Sequence, residues 1–83
     1  MYTIEFSQDA EKFLEKLDTK TRERIVKAIE RLQIRPHAYI SRLVNEPLHK
    51  FRVGDYRVLL DVKDDELYIL VVEVGHRKNI YDK

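Results

Sequence analysis

The period of apolar positions changes twice along this chain. Tyr2-Thr3-Ile4-Glu5-Phe6 alternates, which predicts a short strand with one buried face. From Ala10 the period lengthens, and Ala10, Phe13, Leu14 and Leu17 fall at i, i+3, i+4 and i+7 on one face of a helix. Ser7 stands where an N-cap hydroxyl accepts an otherwise orphaned helix N–H. Asp18 or Thr19 breaks this helix and caps a second one, with Ile25, Val26, Ile29 and Leu32 inward. Arg22, Arg24, Lys27, Glu30 and Arg31 turn mostly outward and read as its solvated face. Pro36 ends the second helix, because the residue before a proline is pushed out of the helical region. Two helices joined by so short a connection form an antiparallel hairpin.

Residues 36–47 have no clean period and hold both prolines, so they read as a loop. The two-residue period then returns, with strands expected over Leu48–Val53, Tyr56–Lys63 and Leu67–Val74. Gly54-Asp55 suits a two-residue hairpin with Gly first, as a type II′ turn requires. The last segment, LYILVVEV, is almost continuously apolar and is expected to be buried on both faces. The predicted order is β-α-α-β-β-β, an α+β fold. It comprises a mostly antiparallel sheet with the helical hairpin packed on one face, as a single domain over residues 1–83.

Composition narrows the chemistry. The absence of Cys removes disulfides, thiolate metal sites and cysteine nucleophiles. No apolar run approaches the length of a membrane span, and MYTIEFSQD does not resemble a signal peptide, so a cytoplasmic location without membrane contact is expected. The net charge of +1 conceals an uneven distribution: −3 over residues 1–19, +6 over 20–52 and −2 over 53–83. A basic middle between acidic ends suits a localised anion site better than general coating of nucleic acid.

The hairpin turn sharpens that expectation. With Gly54 and Asp55 in the turn, Val53 opposes Tyr56, Arg52 opposes Arg57, Phe51 opposes Val58, and Lys50 opposes Leu59. His49, Phe51, Val53, Tyr56, Val58, Leu60 and Val62 then face the helices, where His49 and Tyr56 read as structural. Lys50, Arg52 and Arg57 emerge on the opposite face. Two arginines directly across a strand pair repel each other, and a bound polyanion would offset that repulsion. Beyond the last strand, Gly75-His76-Arg77-Lys78-Asn79-Ile80-Tyr81 brings further basic groups and a tyrosine near the chain end. RNA cleavage by transesterification needs a base for the 2′-OH, stabilisation of the crowded phosphate and an acid for the 5′ oxygen. Arginine forks suit the phosphate, a histidine or a lysine crowded by cations can move protons, and a tyrosine can stack on an unpaired base. None of these roles needs a metal or other cofactor, and no carboxylate cluster is arranged to hold one.

KFRVGDYRVLLDV (50–62) followed by EVGHRKNIYDK (73–83) resembles the RelE/ParE toxin superfamily, and the predicted element order matches as well. The RelE side of that resemblance implies the toxin of a type II toxin–antitoxin system, which enters the 30S A site and cleaves mRNA there by 2′-OH attack without a metal. It also implies a RelB-like antitoxin that neutralises the toxin, with operator DNA bound only through the complex. Carried over residue by residue, it implies a proton-transfer role for Lys50, phosphate stabilisation by Arg57 and Arg77, and base stacking by Tyr81. His76 falls where relatives carry a lysine or an acid–base histidine, and Arg52 and Lys78 are assigned to RNA contact. A second lysine of the family, two residues before Lys50, is Leu48 here. The ParE side implies instead a gyrase poison without nuclease activity. A third reading is a non-catalytic member acting only within an antitoxin complex.

Overall fold

In the computed structural model, which describes residues 1–76, the change from strand to helix occurs at Ser7. Strand β1 (Thr3–Phe6) ends there and helix α1 (Gln8–Glu15) begins, with the Ser7 hydroxyl accepting the Ala10 N–H at 3.1 Å. Asp18 caps α2 (Thr19–Glu30) in the same way, taking the Thr21 N–H at 3.1 Å. Helix α2 stops earlier than Pro36 alone predicts. Its last turn tightens into a 3₁₀ turn at Arg31–Gln33, and Pro36 opens a second one, Pro36–Ala38.

The remaining strands are β2 (Ser41–Arg42), β3 (His49–Val53), β4 (Tyr56–Lys63) and β5 (Tyr68–His76). They form one sheet with β1, in the order β1-β5-β4-β3-β2. Only the β1–β5 pair is parallel; the other three are antiparallel. The α+β expectation therefore holds, with one addition. Part of the predicted 36–47 loop returns to the sheet as the short edge strand β2.

The core lies between one sheet face and the two helices. Ala10, Leu14, Ile25, Ile29 and Leu32 meet Phe51, Val53, Val58, Leu60, Ile69 and Val71 there, all buried. At the β3–β4 turn Gly54 has φ +57°, while Asp55 keeps a negative φ, the combination a type II′ turn uses. The register of the hairpin is the one the turn predicts, Arg52 opposite Arg57 included.

Strand β5 departs from expectation. It is not buried on both faces: Ile69, Val71 and Val74 are buried, Tyr68, Leu70 and Val72 are half-buried, and Glu73 is exposed. Leu59 pairs with Glu73 and Leu60 with Val71, so Val72 is an extra residue, a β-bulge. The bulge lets Val71 and Val74, three residues apart, both face the core. Its carbonyl is bound by the Ser7 hydroxyl at 2.6 Å. Among the described residues no helix is long and apolar enough to cross a membrane.

Candidate functional site

The sheet face turned away from the helices carries the candidate chemistry. Strand alternation fixes which side chains emerge there, since Phe51, Val53 and Val58 are committed to the core. Lys50 and Arg52 on β3 and Arg57 and Leu59 on β4 are thus on the open face. Arg52 and Arg57 are directly opposed, and Lys50 opposes Leu59 one step along. Gly75 on β5 is paired with Arg57 from the other side and adds no side chain beside it. Arg52 is exposed, whereas Lys50 and Arg57 are half-buried. Three cations gathered on adjacent strands can stabilise a compact anion such as a phosphodiester in its transition state.

His76 does not join them. It pairs with Tyr56, whose ring packs into the helix-side core, and the two rings meet edge to face at 5.5 Å. Tyr56 in turn meets Phe13 of α1 at 6.2 Å. Alternation accounts for this placement: one residue beyond Gly75, the chain presents the other face. Arg77, Lys78 and Tyr81 lie outside the described residues.

The sequence reading missed what covers part of the open face. Leu43, from the segment read as a loop, is buried with Leu59, and Leu48 packs against both. Leu43 N–H donates to the Leu48 carbonyl at 2.9 Å, and Ser41 pairs with Lys50. Leu48, the position where the family resemblance expects a lysine, is used here for packing. Ser41, opposite Lys50, is a polar neighbour that alternation alone could not identify, because the partner strand was not legible.

This strap is held at its start by a polar cluster. The Asp64 carboxylate accepts from the Tyr2 hydroxyl and meets His37 Nε2, each at 2.7 Å. Hydrogen bonding from His37, and then from Tyr2, holds the Asp64 carboxyl below the ordinary carboxylate range. His49 sits half-buried on the inner face, its ring 5.5 Å from that of His37. Burial, with His37 and Arg42 nearby, pushes the His49 pKa down. Among the described residues no three His, Asp or Glu are placed to share a metal ion.

Comparison with known proteins gives this arrangement a context. The family model described as ParE toxin of type II toxin-antitoxin system, parDE, matches residues 4–81. Among curated protein sequences none matches. Among solved structures, a chain of the toxin–antitoxin complex RelBE2 from Mycobacterium tuberculosis is 28% identical, with TM-score 0.82 over 92% of this chain and 98% of that one. A chain of the intact E. coli RelBE toxin–antitoxin complex is 26% identical, with TM-score 0.77 over 92% and 96%. A chain of the archaeal RelE–RelB complex from Pyrococcus horikoshii, at 21% identity and TM-score 0.79 over 95% and 98%, shares the fold.

Proposed function

Since the chain belongs to the RelE/ParE superfamily, the toxins of type II toxin–antitoxin systems, we propose that it is an endoribonuclease that cuts mRNA in the ribosomal A site. The observation that carries this reading is the convergence of Lys50, Arg52 and Arg57 on one open sheet face, in adjacent register. In the proposed reaction the 2′-oxygen attacks the neighbouring phosphorus and the P–O5′ bond breaks, leaving a cyclic phosphate and a 5′-hydroxyl. Arg57 and Arg77 stabilise the charge on the phosphate, and Arg52 and Lys78 hold the strand. Lys50 takes part in proton transfer, and Tyr81 stacks on or orients a base. His76, turned to the helix side beside Tyr56, is not needed in this set. A site with few tuned proton-transfer groups gains most from a substrate already positioned, which is how the ribosome would contribute. A RelB-like antitoxin is the proposed partner, because the similar chains come from toxin–antitoxin complexes. Operator DNA would be reached only through that complex.

The test is primer extension on mRNA in a reconstituted translation mixture, comparing the protein with Arg57→Ala, Arg77→Ala and Tyr81→Phe. Cuts at A-site codons are expected, reduced about 10²-fold or more by either arginine substitution. Intact mRNA in the presence of folded protein would end the nuclease reading.

Two observations favour a second reading. The matching family model is that of ParE, and Leu48 is spent on packing rather than on a second lysine. A gyrase poison would leave mRNA intact and trap cleavage complexes on supercoiled DNA.

A further inference from the structure

The outward residues of α2, read from sequence as a solvated face, border a cavity of about 550 Å³ between that helix and β3. Arg24 and Lys27 of α2 and Arg31 of the 3₁₀ turn that continues it form one wall, at spacings of three and four residues that align them over about 10 Å. Arg52 borders the cavity at the β3 edge, where strand alternation turns its side chain to the open face with Arg57. Among the described residues no carboxylate lines it. None of the four cations makes an ion pair or side-chain hydrogen bond with another described residue. The rim carries Tyr39, 54% exposed.

Like charges crowded without counter-charges repel, so this wall gains most from an anion. The floor says which kind. Phe51 and Val53 are each only 8% exposed, so an apolar helix laid over them would bury little new surface. The edge of β3 left uncovered by β2, which pairs only with His49 and Lys50, spans three residues, too short a ladder to hold an added strand firmly. What remains on offer is charge and one aromatic ring. Those are the two features by which single-stranded nucleotides are held, phosphates on cations and bases on an aromatic face. The volume lies in the range of small-ligand sites.

We propose that this groove is a nucleotide subsite, with phosphates on Arg24, Lys27 and Arg31 and a base against Tyr39. Arg52 joins it to the open face, so an RNA strand lying over Arg57 continues around the β3 edge into the groove. A free nucleoside triphosphate presents the same chemistry and is the other source. The subsite deepens the RNA-cleaving reading but does not need the cleavage to occur.

The test is fluorescence anisotropy of the full-length protein with a labelled 2′-O-methyl oligoribonucleotide, which cannot be cleaved by 2′-OH attack. Labelled ATP serves as the second probe. Lys27→Ala/Arg31→Ala and Tyr39→Leu change only exposed side chains, and circular dichroism checks that each variant is folded. The double variant is expected to reduce the slope of log K against log salt by about 1.4 for the oligonucleotide. Tyr39→Leu is expected to weaken binding about fivefold or more. The same losses with the oligonucleotide assign the site to an RNA strand, and with ATP alone to a free nucleotide; either supports the subsite. Unchanged affinity and slope for both probes would overturn it. So would variants that weaken only the capture of an acidic polypeptide. A protein that cuts no mRNA, yet loses oligonucleotide binding in these variants, keeps the subsite and loses the nuclease reading. The reverse result loses the subsite alone.

Discussion

His49 places Nδ1 inside the protein with no hydrogen-bond partner among the described residues. Burial lowers its pKa, His37 and Arg42 add to that, and Asp64 opposes it. The folded state therefore takes up a proton less readily than the unfolded chain, whose histidines titrate near pH 6.5, about the ordinary value. The stability tied to His49 is complete above that pH and declines as pH falls through it toward the depressed folded value. Urea unfolding at two pH values, about 7.5 and 5.5 to span that titration, is expected to show a loss that His49→Phe reduces. Equal losses in the two proteins would assign the proton uptake elsewhere. The inner-face position of His49 was legible from alternation with Phe51 and Val53. Its contact with His37 was not, because eleven residues, nearly all without a clean period, lie between them.

At the scale of elements, Ser7 has two tasks. It caps α1 through Ala10 N–H and fastens the β5 bulge through the Val72 carbonyl. Asp18 performs only the capping task for α2, through Thr21. Ser7→Ala should cost about 1 kcal/mol for the cap, and about 1 kcal/mol more for the carbonyl left without its donor. Asp18→Ala should cost about 1 kcal/mol in all. Urea denaturation of both variants checks the difference, and equal costs would mean that water replaces the bulge bond. The Ser7 cap was readable from sequence, and the second to within one residue, Asp18 or Thr19, because capping depends on residues three apart. The bulge was not. Nothing in Leu-Val-Val-Glu-Val states that Val72 is the extra residue, since the partner strand and the Ser7 hydroxyl decide it from afar.

At the scale of the molecule, two apolar clusters of the described residues lie on opposite sides of the same sheet. The larger holds the helices; the smaller, Leu43 and Leu59 with Leu48, holds the strap beside Lys50. Leu59→Ala is expected to cost about 2–3 kcal/mol if its cavity does not collapse, and less if the strap follows it in. The two cases are separable by amide hydrogen exchange. Protection of the Leu43 N–H, bound to the Leu48 carbonyl, should fall well before that of Val58 or Ile69 in the main core. Uniform loss over all three would show that strap and core unfold as one unit.

What the sequence determined by itself is whatever repeats at short range. The periods of three to four and of two set the helices and strands, Ser7 and Asp18 set two helix starts, and Gly54-Asp55 set a turn. That turn fixes the pairing of Arg52 with Arg57, because a two-residue hairpin allows one register. The cationic face followed from these alone. Tertiary structure decided everything that depends on segments meeting from a distance. It returned residues 41–42 to the sheet edge, turned His76 to the helix side with Tyr56, and set the outward charges of α2 against β3. Each is a choice between surfaces of similar local composition, settled only when the core commits one face of every element and leaves the other to find its own neighbours.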